Sequence, residues 1–145
     1  MVKTDNRTTG GRFEQELAEV LAAHGFWVHV IQQNKSGQPA DLIAVKGKFH
    51  TLIDGKVISD NKGFQFDRIE ENQRLAMKSF FKKGGELCYF ALRLPDDTVW
   101  MVSLERLEVL MGRGKKRLSD DDIRKGQAWP LSKWLEAANN WSEDL

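Results

Sequence analysis

Apolar positions along the chain follow two periods, and the switches between them outline the fold. From Gly11 to Gly25 the residues Phe13, Leu17, Val20, Leu21 and His24 recur at helical spacing, and Gly25 stands where a left-handed cap ends a helix. Phe26 to Gln32 then alternates in the manner of a strand. Between Asp41 and Lys56, two β-rich runs surround Gly47-Lys48, and glycine at the first central position suits a two-residue type II′ turn. Helical spacing returns with Ile69, Ala76, Met77 and Phe80, predicting a helix from about Asp67 to Lys83 that stops at Gly84-Gly85. Glu86 to Leu94 and Thr98 to Val102 read as strands joined by Pro95-Asp96-Asp97. Ser103 can cap a short helix over Glu105 to Met111, and a tryptophan-bearing helix follows near Leu131 to Ala138. Helix, three strands, helix, two strands and closing helices predict an α/β fold with a mixed central sheet flanked by helices.

Composition narrows the function classes. With 145 residues and no linker able to divide them, residues 1–145 are expected to form one domain. Its core is expected at about residues 10–102, with a helical C-terminal extension at about 103–145. No apolar run approaches the roughly 20 residues needed to span a bilayer, and the start Met1-Val2-Lys3-Thr4-Asp5 is unlike a signal peptide. No membrane role and a cytoplasmic, intracellular location are therefore expected. The lone Cys88 has no partner for a disulfide or a cysteine zinc site and reads as core filler. A net charge of +1 does not announce a polyanionic partner. Basic residues are nevertheless clustered: Lys46 and Lys48 at the hairpin, Lys78, Lys82 and Lys83 late in a helix, and the run Arg113, Lys115, Lys116 and Arg117. Such patches either contact phosphates locally or form solvated surface. His24, His29 and His50 have no metal-site or triad spacing, and phosphate-loop and dinucleotide fingerprints are absent.

The hairpin carries the candidate chemistry. Closing it at Gly47-Lys48 puts Asp41 directly opposite Asp54, with facing Cβ atoms about 4.5–5.5 Å apart. Like charges at that distance repel, and a divalent cation would offset the repulsion. Lys56 lies two residues beyond Asp54 and so projects from the same face. Two carboxylates and an ammonium converging on one point suit metal-assisted phosphoester chemistry. A third carboxylate can come from the first helix, where Glu14 and Glu16 lie on opposite flanks of the apolar stripe; periodicity does not choose between them. Gln73 falls on the apolar stripe of the second predicted helix, where burying an amide is costly unless it has a partner. It serves either as a backbone-bonded core amide or as a group facing the site.

These residues resemble the PD-(D/E)xK nuclease superfamily, most closely its Holliday-junction-resolvase-like branch. Gly11-Arg12-Phe13-Glu14-Gln15-Glu16-Leu17, followed by His24-Gly25-Phe26, is similar to the opening helix of archaeal Hjc-type resolvases. Pro39-Ala40-Asp41-Leu42-Ile43-Ala44 and Leu52-Ile53-Asp54-Gly55-Lys56-Val57 resemble the two halves of the superfamily motif. The stretch from Phe66 through Ile69 to Gln73 is similar to RecU-type and VRR-NUC proteins. The resemblance covers about residues 10 to 100 and implies a restriction-endonuclease-like core. It implies Glu14, Asp41 and Asp54 as metal ligands, Lys56 as the catalytic lysine and Gln73 as an auxiliary active-site residue.

The implied activity is Mg²⁺-dependent hydrolysis of DNA phosphodiester bonds, with Mn²⁺ as a substitute cation. The implied substrate is a branched or junction DNA, cut by a homodimer. Alternatives are a nuclease of the same superfamily acting on a nick, flap or linear duplex, or an inactive DNA-binding module of the same fold. Loops at 34–38 and 59–65 flank the site, and Lys35, Ser36, Lys62 and Arg68 are candidate DNA contacts. In one respect the chain departs from these resolvases. Asp54 stands where they carry glutamate, and the adjoining Gly55 in a strand predicts a bulge or a close backbone approach.

Overall fold

A computed structural model describes residues 9–32, 38–59 and 62–142. Helix α1 (Thr9–Ala23) leads into strand β1 (Trp27–Val30), and β2 (Leu42–Lys46) turns into the long strand β3 (Phe49–Val57). A two-residue strand β4 (Phe64–Gln65) and a single 3₁₀ turn at Phe66–Arg68 precede helix α2 (Glu71–Lys82). Strands β5 (Tyr89–Arg93) and β6 (Val99–Ser103), helix α3 (Leu104–Gly112) and the short strand β7 (Arg117–Leu118) follow. The chain closes with the one-turn helix α4 (Asp120–Asp122), strand β8 (Trp129–Pro130) and helix α5 (Leu131–Ser142). Among the described residues, no helix is long and apolar enough to cross a membrane.

Six strands form one mixed sheet in the order β1-β2-β3-β5-β6-β8, with every pair antiparallel except β3 with β5. The β2–β3 register is the expected one: Lys46 faces Phe49 across Gly47-Lys48, and Leu42 faces Ile53. Gly47 has φ +58 while Lys48 keeps a negative φ, as a type II′ turn requires. Alternation then divides the strand side chains between two apolar layers. Leu42, Ala44, Ile53, Tyr89, Ala91 and Met101 face α1 and α5, whereas Leu52, Phe90, Leu92 and Val102 face α2 and α3.

The helical C-terminal part is present and built into the main sheet. Trp134 on α5 is fully buried, stacked on Phe26 and edge-on to Phe49 and Tyr89. The end of α5 also seals the hairpin, because Lys48 N–H donates to the Ser142 carbonyl and a Cβ on Gly47 would collide with that oxygen.

Several expectations need correction. Val20 on α1 and His24 just after its end are exposed, since the buried positions of the inward stripe are Phe13, Leu17 and Leu21. The helix expected from Asp67 begins only at Glu71; residues 66–68 form their own 3₁₀ turn, whose end at Ile69 is extended. Gly55 marks no bulge, because β3 pairs with β5 without interruption from Ile53–Tyr89 to Val57–Arg93. A Cβ there would instead meet the Phe13 ring at 3.1 Å, so the glycine admits α1 against the sheet. Strands β4, β7 and β8 had no sequence signal, being two residues long and paired with distant segments.

Trp134→Ala should destabilise the protein by about 3–5 kcal/mol. Denaturant unfolding, with the midpoint shifting at constant m-value, measures this.

Candidate active site

The end of the β2–β3 ladder is where the sheet stops being apolar. Asp41 sits one position before β2, with its backbone held on both sides: its N–H donates to the Ile53 carbonyl, and its carbonyl accepts from Ile31 N–H. The register that pairs Leu42 with Ile53 carries on to bring Asp41 beside Asp54. Asp54, opposite Phe90 in the next strand, faces the α2 layer with Lys56. Both aspartates are buried, Asp41 with 6% and Asp54 with 1% of its surface exposed.

Each carboxylate oxygen facing this point has a donor or a neighbouring acid. Asp41 Oδ2 accepts from Gly55 N–H at 2.8 Å. Asp54 Oδ2 lies 3.1 Å from Lys56 Nζ, and Asp54 Oδ1 accepts from Gln73 Nε2 at 2.8 Å. Gln73 is therefore the site-facing amide, brought over Asp54 by α2. Its orientation is settled by that bond, since only the amide nitrogen can donate to a carboxylate. The Gln73 Oε1 atom is left buried with no protein hydrogen-bond partner.

Glu14, half-buried on α1, reaches Asp41 across the end of the sheet within hydrogen-bonding range. Glu16 does not join them; it points to Arg93, 3.6 Å from its guanidinium. The phenyl ring of Phe13 against Gly55 explains why α1 lies close enough for Glu14 to arrive.

Burial raises the pKa of all three acids. Asp54 is pushed up to about 7, first by desolvation and then by the charge of Asp41, against the opposing pull of Lys56. Asp41 is raised by desolvation and by Glu14, with Gly55 N–H and Lys56 working the other way. Glu14 is raised by desolvation and by Asp54. Three acids facing one lysine leave the cluster short of positive charge, and a hard cation of oxygen preference would supply it. Among the described residues, no three His, Cys, Asp or Glu side chains form a ready-made metal cage. This donor set suits a cation held by one or two carboxylates and otherwise by water and phosphate.

The remaining candidates divide. Lys35 and Ser36 lie outside the described residues. Arg68 is exposed, and its Nη1 donates to the Val57 carbonyl at 3.0 Å, one residue beyond Lys56. Lys62 is exposed on the loop before β4, where its carbonyl accepts from Arg117 Nη1. Sequence reasoning missed the part played by Gly55 N–H, because a backbone donor has no residue-type signature.

The chain was compared with known proteins. The family model described as "Archaeal holliday junction resolvase (hjc)" matches residues 5–139. No match is found among curated protein sequences. Among solved structures, the fold is similar to that of Hjc from Archaeoglobus fulgidus, described as a Holliday junction resolvase from an archaeal hyperthermophile. That similarity has a TM-score of 0.67 and 19% sequence identity, covering 87% of this chain and 99% of the other. The restriction-endonuclease-like architecture expected from the motif is thus the one observed.

The raised pKa of Asp54 has a definite consequence for stability. Between about pH 4 and pH 7 the folded protein retains a proton that the unfolded chain, with an ordinary value of 3.8, has released. Stability should therefore fall as pH rises through this window and level off above about 7. Asp54→Asn removes the ionisation, and should stabilise the protein at pH 8 by roughly 1–3 kcal/mol while flattening the profile. Chemical denaturation at pH 5 and pH 8 checks both statements; a wild-type stability that rises over this range would refute them.

Proposed function

The chain belongs to the archaeal Holliday junction resolvase family, a family of junction-resolving nucleases, and from that premise we propose that it hydrolyses DNA strands at a four-way junction with Mg²⁺ held directly by Asp41 and Asp54 and through water by Glu14. The observation that carries this reading is the convergence of Asp41, Asp54, Lys56 and Gln73 at one end of the β2–β3 ladder. When bound, Mg²⁺ (or Mn²⁺ in its place) would activate the attacking water and stabilise the departing oxygen. The other roles fall to the chain itself.

Lys56, with its side chain 13% exposed, is placed to meet the scissile phosphate from the Asp54 side. Its ammonium opposes the charge that builds on the phosphoryl oxygens in the transition state. Gln73 holds Asp54 in orientation through its amide nitrogen and offers its orphaned Oε1 to a water in the site. Gly55 N–H does the same for Asp41, so both aspartates keep one geometry while substrate enters. Aspartate in place of glutamate at position 54 keeps this carboxylate close to the strand, where Gln73 and Lys56 both reach it.

Three further elements belong to the proposal. Residues 1–145 act as one nuclease domain, a reading supported by the integration of β8 and α5 into the same sheet and core. The protein works as a homodimer, because resolution requires two strands to be cut and two-fold symmetry supplies two copies of one site. Lys35, Ser36, Lys62 and Arg68 contact the DNA backbone.

Asp41→Asn and Lys56→Ala should each lower cleavage of a synthetic junction by at least about 100-fold. Junction binding measured in EDTA should stay near the wild-type value. Cleavage should need Mg²⁺ and stop with EDTA, and a panel of junction, flap and linear duplex should show paired symmetric cuts in the junction only. Wild-type-like cutting by either variant would sink the residue assignment.

A further inference from the structure

The basic run that follows α3 has no role in the site, yet its placement connects it to that site. Arg113-Gly114-Lys115-Lys116-Arg117 carries four cations in five residues of a chain whose net charge is only +1. All five residues are exposed. Among the described residues, Arg113 and Lys116 make no ion pair, and Arg117 has only the Lys62 carbonyl; Lys115 alone is neutralised, by Asp122 at 3.1 Å.

Pairing of β7 with β4 then fixes where this charge lies. Arg117 faces Gln65, Leu118 faces Phe64, and Phe66 N–H donates to the Lys116 carbonyl. Gly63, at φ +75, brings the loop so close that a Cβ there would collide with the Leu118 carbonyl. The run is thus stitched to the segment that leaves the catalytic strand. Along that segment Arg68 is fastened to the Val57 carbonyl, next to Lys56. The pairing thus lines Lys116 and Arg117 along the segment that carries Arg68 back to the catalytic strand, and Arg113 precedes them in the same run. Beside it runs an open groove of about 520 Å³, whose lining includes Lys115, Lys116 and Arg117 against the single carboxylate of Asp67.

We infer that this basic run is a phosphate track that grips the duplex arm leading away from the cut. The inference rests on the placement of the cut beside Lys56 in the function proposed above, and adds where the substrate extends from there. A backbone track suits exposed, unpaired arginine and lysine on a short strand and asks for no base contacts. It positions the arm without reading its sequence. An isolated solvated patch would need neither the stitching of β7 to β4 nor the anchoring of Arg68 on the catalytic strand.

The test is the salt dependence of DNA binding, measured by fluorescence anisotropy in EDTA so that cleavage does not enter. The full chain is compared with Arg113→Gln/Lys116→Gln, and with Lys125→Gln/Lys133→Gln as a control of equal charge change on exposed sites elsewhere. Each lost phosphate contact lowers the slope of log K against log salt by about 0.9, so the track variant should lose about 1.8 and the control nothing. The track variant should also bind roughly 10–100-fold more weakly at 0.1 M salt. The same loss should appear on a linear duplex, because the track holds an arm and not the crossover. Unchanged thermal unfolding of the track variant confirms that binding, and not folding, is being read.

An equal loss in both variants, or an unchanged slope in the track variant, would overturn the track. A loss confined to junction DNA would overturn its assignment to an arm. If the wild type fails to cut any junction while the slopes differ as expected, the catalytic proposal falls and the track stands.

Discussion

Everything at the working end of this protein depends on holding two like-charged carboxylates side by side at the end of an antiparallel ladder. Two ionised carboxylates about 5 Å apart repel by roughly 3 kcal/mol at an effective dielectric constant near 20. The β2–β3 hairpin nevertheless sets Asp41 against Asp54 and buries both. The chain opposes the repulsion with fixed donors: Gly55 N–H on Asp41, and Lys56 with Gln73 on Asp54. These do not fully compensate: burial first, and the neighbouring acids after it, raise Glu14, Asp41 and Asp54. Such residual imbalance is useful to a nuclease, since a site short of positive charge is one that binds a cation and a phosphate together.

The rest of the fold serves that hairpin. Its turn is closed from outside by the end of α5, whose Trp134 is the centre of an aromatic core shared with Phe26, just before β1, and with β3 and β5. Its open end is closed by α1, which approaches so closely that a Cβ at position 55 would press on the Phe13 ring at 3.1 Å. The other face is covered by α2, which brings Gln73 over Asp54. Disturbing any of these three helices would shift the hairpin, and with it the spacing of the carboxylates. The glycine in the motif therefore eases the packing of α1 and has a second use, because its N–H orients Asp41.

Much of this was legible in the residues. The hairpin register followed from one glycine and the period of two in strands, and with it came the pairing of Asp41, Asp54 and Lys56. Ser103 capped α3 as its residue type suggested, its Oγ accepting from Arg106 N–H. Where the reading faltered, the cause was a periodicity that local sequence does not determine. The α1 stripe looked wide enough to include Val20 and His24, but a helix against a flat sheet buries a narrower face than one in a groove. The second helix looked continuous from Asp67, since a 3₁₀ turn and the first turn of an α-helix have similar composition.

The sequence by itself determined the hairpin, its turn and the face shared by its acids, because those depend on neighbours within about fifteen residues and on the fixed alternation of strand side chains. Its periodicity placed Glu14 and Glu16 within reach without choosing between them, and left Gln73 either a core amide or a group facing the site. The family resemblance implied Glu14, and the tertiary structure gives the physical reason: α1 docks on Gly55, which brings Glu14 to Asp41 while Glu16 turns to Arg93. Likewise, only the pairing of β4 with β7 set Arg117 beside Gln65 and carried a basic run, fifty residues away in the chain, onto the segment that leaves the catalytic strand. Such contacts join segments whose short stretches have no strong preference of their own. The burial gained when the whole domain closes selects them, and that gain is not written in any local pattern.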